Sequence, residues 1–294
     1  MKIIVTGAAG MVGRAVVAHC TTQGESVAAF DHQTLDITDE SNLNIAFERE
    51  GPDVLINCAA WTDVDGCELD PLRARRVNAY GPELLANACR KVGARLITIS
   101  TDYVFDGEMD GFYTQRDQPN PQSVYAAAKL DGERRAQTAW ANTIVVRSGY
   151  VFGSGGTNFL STVIARARRG EGLKAISDSF GTPTYAPHLA RQLYQLSQID
   201  VPAIYHVVNA GDGTSFEGFA RWALEVAGLS DDLLEGISLK TLTRSAPRPR
   251  NSRLRCVLSN ALGLATLPSW QDAVREFIAA DSPGRLAEAG SGSL

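Results

Sequence analysis

The sequence has few cysteines, no long apolar run and no cluster of basic residues. Its five cysteines are odd in number and show no CxxC spacing, which argues against a disulfide framework or a zinc site and favours a reducing, cytoplasmic location. No apolar segment approaches the roughly 20 residues that a membrane span requires. The 28 Lys and Arg residues are outnumbered by 33 Asp and Glu residues, which gives a net charge of -5. Neither a membrane nor a nucleic acid is therefore expected as a partner.

Short β-branched segments alternate with helical segments through the first half of the chain. Strands are predicted at KIIVT, SVAAF and DVLIN and again at 95–99 and 143–147, with helices between them. This alternation is typical of parallel strands that are joined by crossover helices. The sequence therefore predicts an α/β fold with a doubly wound, Rossmann-type parallel sheet.

The alternation loosens after the turn-rich stretch GSGG, which begins at Gly153. We place a dinucleotide-binding domain at 1–150 and expect a strand near 204–209 to return to its sheet. Residues 151–280 are expected to form mainly a smaller, partly interleaved substrate-binding lobe. Residues 281–294 carry few apolar side chains and are expected to be a flexible tail.

A glycine-rich stretch from Gly7 to Gly13, GAAGMVG, follows the first strand directly and opens a helix. Small residues let the backbone approach a pyrophosphate at a helix N-terminus, where free N–H groups favour an anion. The spacing is GxxGxxG rather than GxGxxG, and a plain tight turn is the alternative. Asp31 ends the second strand, where a carboxylate accepts hydrogen bonds from the adenosine ribose and repels a 2′-phosphate. This slightly favours NADH over NADPH, although the nearby Arg14 weakens the preference. The alternative for Asp31 is that it is an exposed turn residue without a role in cofactor binding.

Tyr125 and Lys129 lie four residues apart, on one face of a predicted helix. Hydride delivery to a carbonyl carbon leaves negative charge on the oxygen, and a tyrosine can supply the proton if a lysine lowers its pKa from roughly 10. The strand at 95–99 leads into Ser100 and Thr101, which places hydroxyls where ligands of such sheets bind. Thr101 is expected to hold the carbonyl oxygen. The alternative for Tyr125 and Lys129 is that both are exposed helix residues. The alternative for Ser100 or Thr101 is that its hydroxyl caps a helix.

Together these motifs resemble the dTDP-4-dehydrorhamnose reductase family of the extended short-chain dehydrogenases. The resemblance covers nearly the whole chain and is most specific at STDYVFDG (100–107) and APRPRNSRL (246–254). It extends to NCAAWTDVDGCE (57–68), VNAYGP (77–82) and DSFGTPTY (178–185). It implies reduction of the C4 keto group of dTDP-4-dehydro-6-deoxy-L-mannose to dTDP-L-rhamnose, with NADPH or NADH as cofactor and a nucleotide-sugar as substrate.

The resemblance also implies roles for individual residues. It implies a catalytic triad of Thr101, Tyr125 and Lys129, with Tyr125 as the proton donor and Lys129 also binding the nicotinamide ribose. The further cofactor contacts that it implies are Gly7, Gly10, Met11 and Val12 at the pyrophosphate, Asp36 and Ile37 at the adenine, and Ala59, Ala60 and Thr62 along the cofactor trench.

Substrate contacts are implied for Asp102 and for the segment from Arg248 to Ser252. Arg248 would clamp the nucleotide diphosphate, because a guanidinium fork suits such oxygens; a surface ion pair is the alternative. The family usually has a tryptophan where this chain has Tyr150, which keeps an aromatic wall but changes its size and polarity. A reductase of a related nucleotide-linked 4-keto deoxysugar is therefore an alternative.

Other classes match the sequence less well. The 4,6-dehydratases follow their Thr-Asp pair with a glutamate, where this chain has Tyr103, and epimerases usually show a Ser-Ser-x-x-x-Tyr strand end. A non-catalytic regulatory subunit, like that of methionine adenosyltransferase, is the alternative from a different class. Some relatives dimerise around a metal ion, so a homodimer and a structural Mg²⁺ are both open, although no acidic cluster near the C-terminus commits the chain to a metal.

Overall fold

The computed structural model describes residues 1–280, so the tail predicted at 281–294 lies outside the described residues. In chain order the strands are β1 (Lys2–Thr6), β2 (Ser26–Phe30), β3 (Val54–Asn57), β4 (Arg95–Thr101), β5 (Thr143–Ser148), β6 (Val151–Phe152), β7 (Leu173–Ile176), β8 (Phe180–Gly181), β9 (Thr184–Tyr185), β10 (Ile204–His206), β11 (Thr214–Ser215) and β12 (Leu234–Ile237). The helices are α1 (Met11–Thr22), α2 (Glu40–Glu50), α3 (Val64–Leu69), α4 (Pro71–Arg75), α5 (Gly81–Val92), α6 (Val124–Ala139), α7 (Phe159–Arg168), α8 (Ala186–Ser197), α9 (Phe216–Val226) and α10 (Trp270–Ala280). A π-helical turn covers Arg76–Tyr80, and 3-10 turns cover Asp102–Val104 and Leu239–Thr241.

The central sheet has six strands in the order β10-β5-β4-β3-β1-β2, and every pair of neighbours is parallel. This confirms the predicted α/β, doubly wound fold. The chain moves outward from β1 to β2 and then returns past β1 to β3, so the direction of winding reverses between β1 and β3. Ligands of open parallel sheets bind in the crevice at the carboxyl ends of the strands beside such a reversal.

Helices cover both faces of this sheet because successive strand residues point to opposite sides. Ile3 and Val5 of β1 face the cluster formed with α1 and α8, whereas Ile4 faces the cluster formed with α2, α5 and α6. All three side chains are buried. Burial on both faces explains why the strands read as continuous apolar runs and not as alternating ones.

A third apolar cluster lies outside the central sheet, where α7, α9 and α10 pack together. Its buried side chains include Phe152, Leu160, Phe219, Trp270 and Phe277. The parallel strands β7 and β12 pack beside α9 in this part of the chain. By contrast, β10 pairs with β5 and is an edge strand of the central sheet. Within residues 1–280, no helix is both long enough and apolar enough to cross a membrane.

Candidate active site

Thr101 and Ser148 end neighbouring strands and face the same cavity. The two residues are partners in the β4–β5 register. Thr101 Oγ1 accepts a hydrogen bond from the Tyr103 backbone N–H at 3.2 Å and donates one to Asp102 Oδ1 at 3.1 Å. The hydroxyl therefore caps the 3-10 turn at Asp102–Val104 and at the same time lines a cavity of about 530 Å³.

Helix α6 brings Tyr125 and Lys129 to the same cavity. Its cap is Ser123, whose hydroxyl accepts a hydrogen bond from the Ala126 N–H at 3.3 Å. Alanines and other good helix formers follow the cap, so the helix is locally favoured. Tyr125 and Lys129 lie one turn apart and are both buried, which excludes the alternative of two exposed helix residues.

The electrostatics of the pair differ from the sequence-based expectation. Burial raises the pKa of the Tyr125 phenol, while the nearby Thr101 hydroxyl works against that rise. Burial lowers the pKa of Lys129 to about 8, against the attraction of Glu133, and its Nζ donates to the Ile99 carbonyl oxygen at 2.7 Å. The prediction that Lys129 lowers the Tyr125 pKa is therefore wrong, because desolvation raises it. A phenol with a raised pKa stays protonated at neutral pH, as an acid must before it donates.

A buried ion pair lies beneath Lys129. Glu133 accepts hydrogen bonds from Arg147 Nη2 at 2.7 Å and from Arg147 Nε at 3.0 Å, and the Ser100 hydroxyl donates to Glu133 Oε1. The side chains of Arg147 and Glu133 are 3% and 2% exposed. The Arg147 guanidinium also lies over the Phe105 ring, 5.2 Å from its centroid. This network, which the sequence analysis missed, joins α6 to the ends of β4 and β5.

Asp102 lies directly behind Thr101 and is 3% exposed. Burial raises its pKa to about 6, against the nearby Ser252 hydroxyl and the hydrogen bond from Thr101. A Cβ at Gly149 would lie 2.3 Å from Asp102 Oδ2, so only glycine leaves room for the carboxylate. Within residues 1–280, Oδ2 has no hydrogen-bond partner. Ser252 is itself buried and faces this carboxyl group.

Two glycines of the loop after β1, Gly7 and Gly13, are packed too tightly for any larger residue. Gly7 has a φ of +66°, and a Cβ there would lie 2.6 Å from the Ala59 backbone nitrogen. A Cβ at Gly13 would lie 2.1 Å from the Gly7 carbonyl oxygen. Gly10 is the N-cap of α1, so the free N–H groups of the first turn of this helix point into the crevice. The loop therefore fits an anionic group such as a pyrophosphate.

A second cavity of about 600 Å³ continues from the first, and Gly10, Ala59 and Ala60 line both. Asp31 and Asp36 lie at its far end. Asp31 Oδ1 accepts hydrogen bonds from the Gln33 N–H and the Thr34 N–H, both at 3.0 Å, and from the Thr34 hydroxyl at 2.9 Å. The bond from the Thr34 hydroxyl is the main reason why the Asp31 pKa is lowered. Asp31 thus lies in the crevice and also closes a turn.

Two arginines that the sequence analysis missed line the same cavity. The Arg73 guanidinium lies over the Trp61 ring, 4.3 Å from its centroid. Arg76 donates to Thr38 Oγ1 at 2.9 Å and lies 3.9 Å from Asp36 Oδ2. Both arginines belong to the segment after α3, which carries no recognisable motif. Only the fold brings them to the crevice.

A third cavity, of about 560 Å³, opens beyond Tyr103 and Phe216 and contains Arg166, Arg244 and Arg248. Arg248 makes a bidentate ion pair with Asp65 in which both N···O distances are 2.8 Å. The hydrogen bond from Arg248 is the main reason why the pKa of Asp65 is lowered. Arg248 is thus held in place at the wall of the cavity.

Tyr150 forms an aromatic wall of the first cavity, next to Phe216, which lines both the first and the third cavities. It stacks on Phe216 with a centroid distance of 4.3 Å, and its hydroxyl donates to the Ser179 carbonyl oxygen at 3.4 Å. Its φ of +46° is the one positive value at a non-glycine residue among the described residues. Such strain is found mainly at functional sites. A Cβ at Gly181 would lie 2.3 Å from the Tyr150 ring, so a glycine is needed beneath the phenol.

The structure gathers nearly all the predicted site residues around these cavities. Ser252 lines none of the three, because it is buried behind Asp102. Arg248 lines the third cavity. The first cavity is lined by Gly10, Met11, Val12, Ala59, Ala60, Thr62, Thr101, Asp102, Tyr125, Lys129 and Tyr150, and the second by Gly7, Gly10, Asp31, Asp36, Ile37, Ala59 and Ala60.

A dinucleotide cofactor fits this crevice. The glycine loop provides a cradle that a Cβ at Gly7 or Gly13 would fill. Further along, the buried Ser148 hydroxyl lines the first cavity and has no hydrogen-bond partner among the described residues. For a metal, residues 1–280 contain no group of three or more His, Cys, Asp or Glu side chains arranged to hold an ion.

Comparison with known proteins identifies the family. The model of the family described as RmlD substrate binding domain matches residues 1–282. The chain belongs to this family. A dTDP-4-dehydrorhamnose reductase from Mycolicibacterium smegmatis is 38% identical over 282 residues, which cover 95% of this chain and 85% of the relative. The resemblance predicted from the motifs is therefore confirmed.

Two further similar proteins indicate the type of reaction and the cofactor. A probable dTDP-4,6-dihydroxy-2-methyloxan-3-one 4-ketoreductase from Streptomyces antibioticus is 34% identical over 289 residues, 96% of this chain and 98% of the relative. The crystal structure of a dTDP-4-dehydrorhamnose reductase from Bacillus anthracis in complex with NADP has a TM-score of 0.92 and 30% identity. That match covers 95% of this chain and 99% of the solved chain. All three relatives are reductases by name, and the Bacillus anthracis structure holds NADP. This chain is an oxidoreductase that uses NADPH or NADH.

Proposed function

We propose that this protein is an NAD(P)H-dependent enzyme that reduces the C4 keto group of dTDP-4-dehydro-6-deoxy-L-mannose to give dTDP-L-rhamnose. The observation that carries the proposal is the meeting of Thr101, Tyr125 and Lys129 in one cavity that is continuous with the glycine-loop crevice. Membership of the family and the printed activity of the Mycolicibacterium smegmatis relative support it.

In the proposed mechanism, the bound reduced nicotinamide supplies the hydride. Tyr125 donates its phenol proton to the oxygen that becomes negative, and its raised pKa keeps that proton in place until it is needed. Thr101 orients the carbonyl oxygen. Lys129 binds the nicotinamide ribose, and the buried carboxylate of Glu133 helps to keep the lysine charged.

The remaining cofactor contacts divide between the two ends of the crevice. At the loop, the backbone of Gly7, Gly10, Met11 and Val12 would bind the pyrophosphate. Asp31, Asp36 and Ile37 would bind the adenosine, and Ala59, Ala60 and Thr62 would line the trench between the two ends.

We further propose that the enzyme uses both NADPH and NADH. The Asp31 carboxylate favours the ribose hydroxyls of NADH, but Arg76 lies in the same cavity and offers a cation for a 2′-phosphate. Arg76→Ala is expected to raise the KM for NADPH roughly ten- to hundredfold, which corresponds to about 1.5–3 kcal/mol for a hydrogen bond to a charged group. The KM for NADH should change little. An equal change in both values would show that Arg76 only supports the local fold.

The substrate would extend from the first cavity into the third. Arg248 would bind the diphosphate, with Tyr150 as the wall beside the sugar and Asp102 and Ser252 behind Thr101. In this proposal residues 1–150 bind mainly the cofactor, and residues 151–280 mainly complete the substrate site. The homodimer and the structural Mg²⁺ stay predictions, and sedimentation analysis with and without a chelator tests both.

A second substrate is favoured by one observation, the tyrosine at position 150. A phenol is smaller and more polar than the indole usual in the family, which suits a different arrangement of sugar hydroxyls. The relative from Streptomyces antibioticus carries the printed activity of a 4-ketoreductase on a different dTDP-linked sugar. A related nucleotide-linked 4-keto deoxysugar is therefore the alternative substrate.

The test is oxidation of NADPH and NADH with each 4-keto sugar, followed by identification of the product by NMR. Wild type should form dTDP-L-rhamnose. Tyr194→Phe, which removes a phenol hydroxyl from α8 away from the three cavities, is the matched control and should retain the wild-type rate. Turnover only with another 4-keto sugar would establish the alternative, and no turnover with any would refute both.

A further inference from the structure

Residues 153–157, the glycine strap, lie between β6 and α7 and pack against the first turn of α1. We propose that Asn158 is a positioning residue, which holds this strap over the pyrophosphate end of the bound dinucleotide and slows release of the cofactor. The inference rests on the proposed function, because it requires that NAD(P)H binds in the crevice.

The neighbours of the glycine strap place it at the mouth of the crevice. Gly156 lines the first cavity together with Gly10 and Met11. A Cβ at Gly156 would lie 3.5 Å from the Met11 Cβ, and a Cβ at Gly155 would lie 3.1 Å from the Arg14 Cδ. The strap therefore faces the first turn of α1 across the space in which the pyrophosphate is expected to bind.

The strap has little backbone structure of its own. Residues 154–157 are exposed, and within residues 1–280 their backbone takes part in a single hydrogen bond, at the Gly156 carbonyl oxygen. Gly155 has a φ of +85°, a conformation that glycine adopts at little cost. Fixing such a segment in one conformation costs entropy, so a contact from outside the segment is needed to hold it in place.

The Asn158 side chain supplies this contact. Its Nδ2 donates to the Gly153 carbonyl oxygen at 2.8 Å and to the Gly156 carbonyl oxygen at 3.4 Å. Its Oδ1 accepts a hydrogen bond from the Ser161 N–H at 3.1 Å, as the N-cap of α7. Carbonyl oxygens only accept and a backbone N–H only donates, so these partners fix the orientation of the amide. One side chain thus joins the strap to the start of α7.

The two ends of the Asn158 amide have separate roles. Helix α7 uses only the Oδ1 acceptor and the backbone N–H of Asn158, which donates to the Ser161 hydroxyl at 3.0 Å. Aspartate caps a helix about as well as asparagine does, so the cap does not require the Nδ2 group. Both Nδ2 hydrogen bonds go to the strap. A substitution can therefore remove the contact with the strap and keep the helix cap.

Asn158→Asp is this substitution, because it keeps an acceptor for the Ser161 N–H and replaces the donor with an oxygen that repels the two carbonyl groups. The Kd of NADPH, measured by calorimetry, should rise roughly tenfold, in the range expected for the loss of two hydrogen bonds. The dissociation rate of NADPH, measured by stopped-flow fluorescence, should rise by a similar factor. The Kd of dTDP should stay within about twofold of wild type, since α7, which lines the third cavity, keeps its cap.

Ser161→Ala is the matched control, because it removes a hydroxyl from the same helix cap and leaves both Nδ2 hydrogen bonds in place. Its Kd for NADPH should equal that of wild type. An unchanged Kd for NADPH in Asn158→Asp would overturn the proposal. So would an equal loss of NADPH and dTDP binding, which would show that the substitution disturbs α7, or a loss of dTDP binding alone, which would show that Asn158 contacts the substrate.

Hydrogen exchange of wild-type enzyme locates the effect without a substitution. NADPH should slow the exchange of the backbone amides of residues 153–157, and in Asn158→Asp without cofactor these amides should exchange faster than in wild type. If NADPH binds and the strap is not protected, the proposal about Asn158 fails, whichever sugar is reduced. If NADPH protects the strap and no 4-keto sugar is reduced, the proposed function fails instead.

Discussion

Glu133→Gln tests whether the buried ion pair beneath Lys129 holds the site together. The substitution keeps the size of the side chain and an acceptor for Ser100, but it leaves the Arg147 guanidinium charged at a position that is 3% exposed. Breaking a buried pair by removing one partner costs about 3–5 kcal/mol, because the remaining charge is uncompensated. The free energy of unfolding, measured by denaturant titration of the free enzyme, should fall by that amount.

The double variant Glu133→Gln/Arg147→Met is the matched control. It removes both charges, and replacement of a whole buried pair by neutral groups is often close to neutral in stability. The double variant should therefore regain most of the stability that Glu133→Gln loses. A loss below about 1 kcal/mol in the single variant, which is the value of an exposed pair, would refute the reasoning. A double variant that loses the sum of both single changes would refute it as well.

Three further outcomes follow from the same site. Tyr125→Phe should reduce the turnover number by roughly 10²- to 10⁴-fold while NADPH affinity, measured by calorimetry, stays unchanged; a variant with full activity would exclude Tyr125 as the acid. Gly13→Ala should weaken NADPH binding at least tenfold, which corresponds to about 1.4 kcal/mol, because the new Cβ would lie 2.1 Å from the Gly7 oxygen. An unchanged Kd would show that the loop can move to accommodate the Cβ. The rate should fall as the pH rises through about 8, because Lys129 then loses its proton, and a profile that is flat across this range would contradict the role of the ammonium.

The sequence predicted the fold well because its signals are local. Continuous apolar strands alternate with helical segments, and this pattern survives in the parallel sheet. The predicted strand ends were short: β4 extends through Thr101 and β5 through Ser148, because Ser100 and Thr101 continue the ladder with Arg147 and Ser148. Polar residues at the end of a strand look like a loop in the sequence, yet their backbone groups still pair.

The catalytic motif was predictable and its electrostatics were not. Spacing alone places Tyr125 and Lys129 on one helix face, but the Tyr125 pKa depends on how deeply α6 is buried. Glu133 and Arg147 resemble surface charges in the sequence, since nothing local shows that they meet across α6 and β5. The positive φ of Tyr150 likewise follows from packing over Gly181, which lies far along the chain.

The most direct test of the account follows the hydride itself. Wild-type enzyme is supplied with dTDP-4-dehydro-6-deoxy-L-mannose and with NADPH carrying deuterium at C4 of the nicotinamide, on each face in separate reactions. NMR of the isolated product should show deuterium at C4 of the sugar with one of the two labelled cofactors and dTDP-L-rhamnose as the product. NADPH oxidation without label at C4 from either face would contradict direct hydride transfer to the keto carbon.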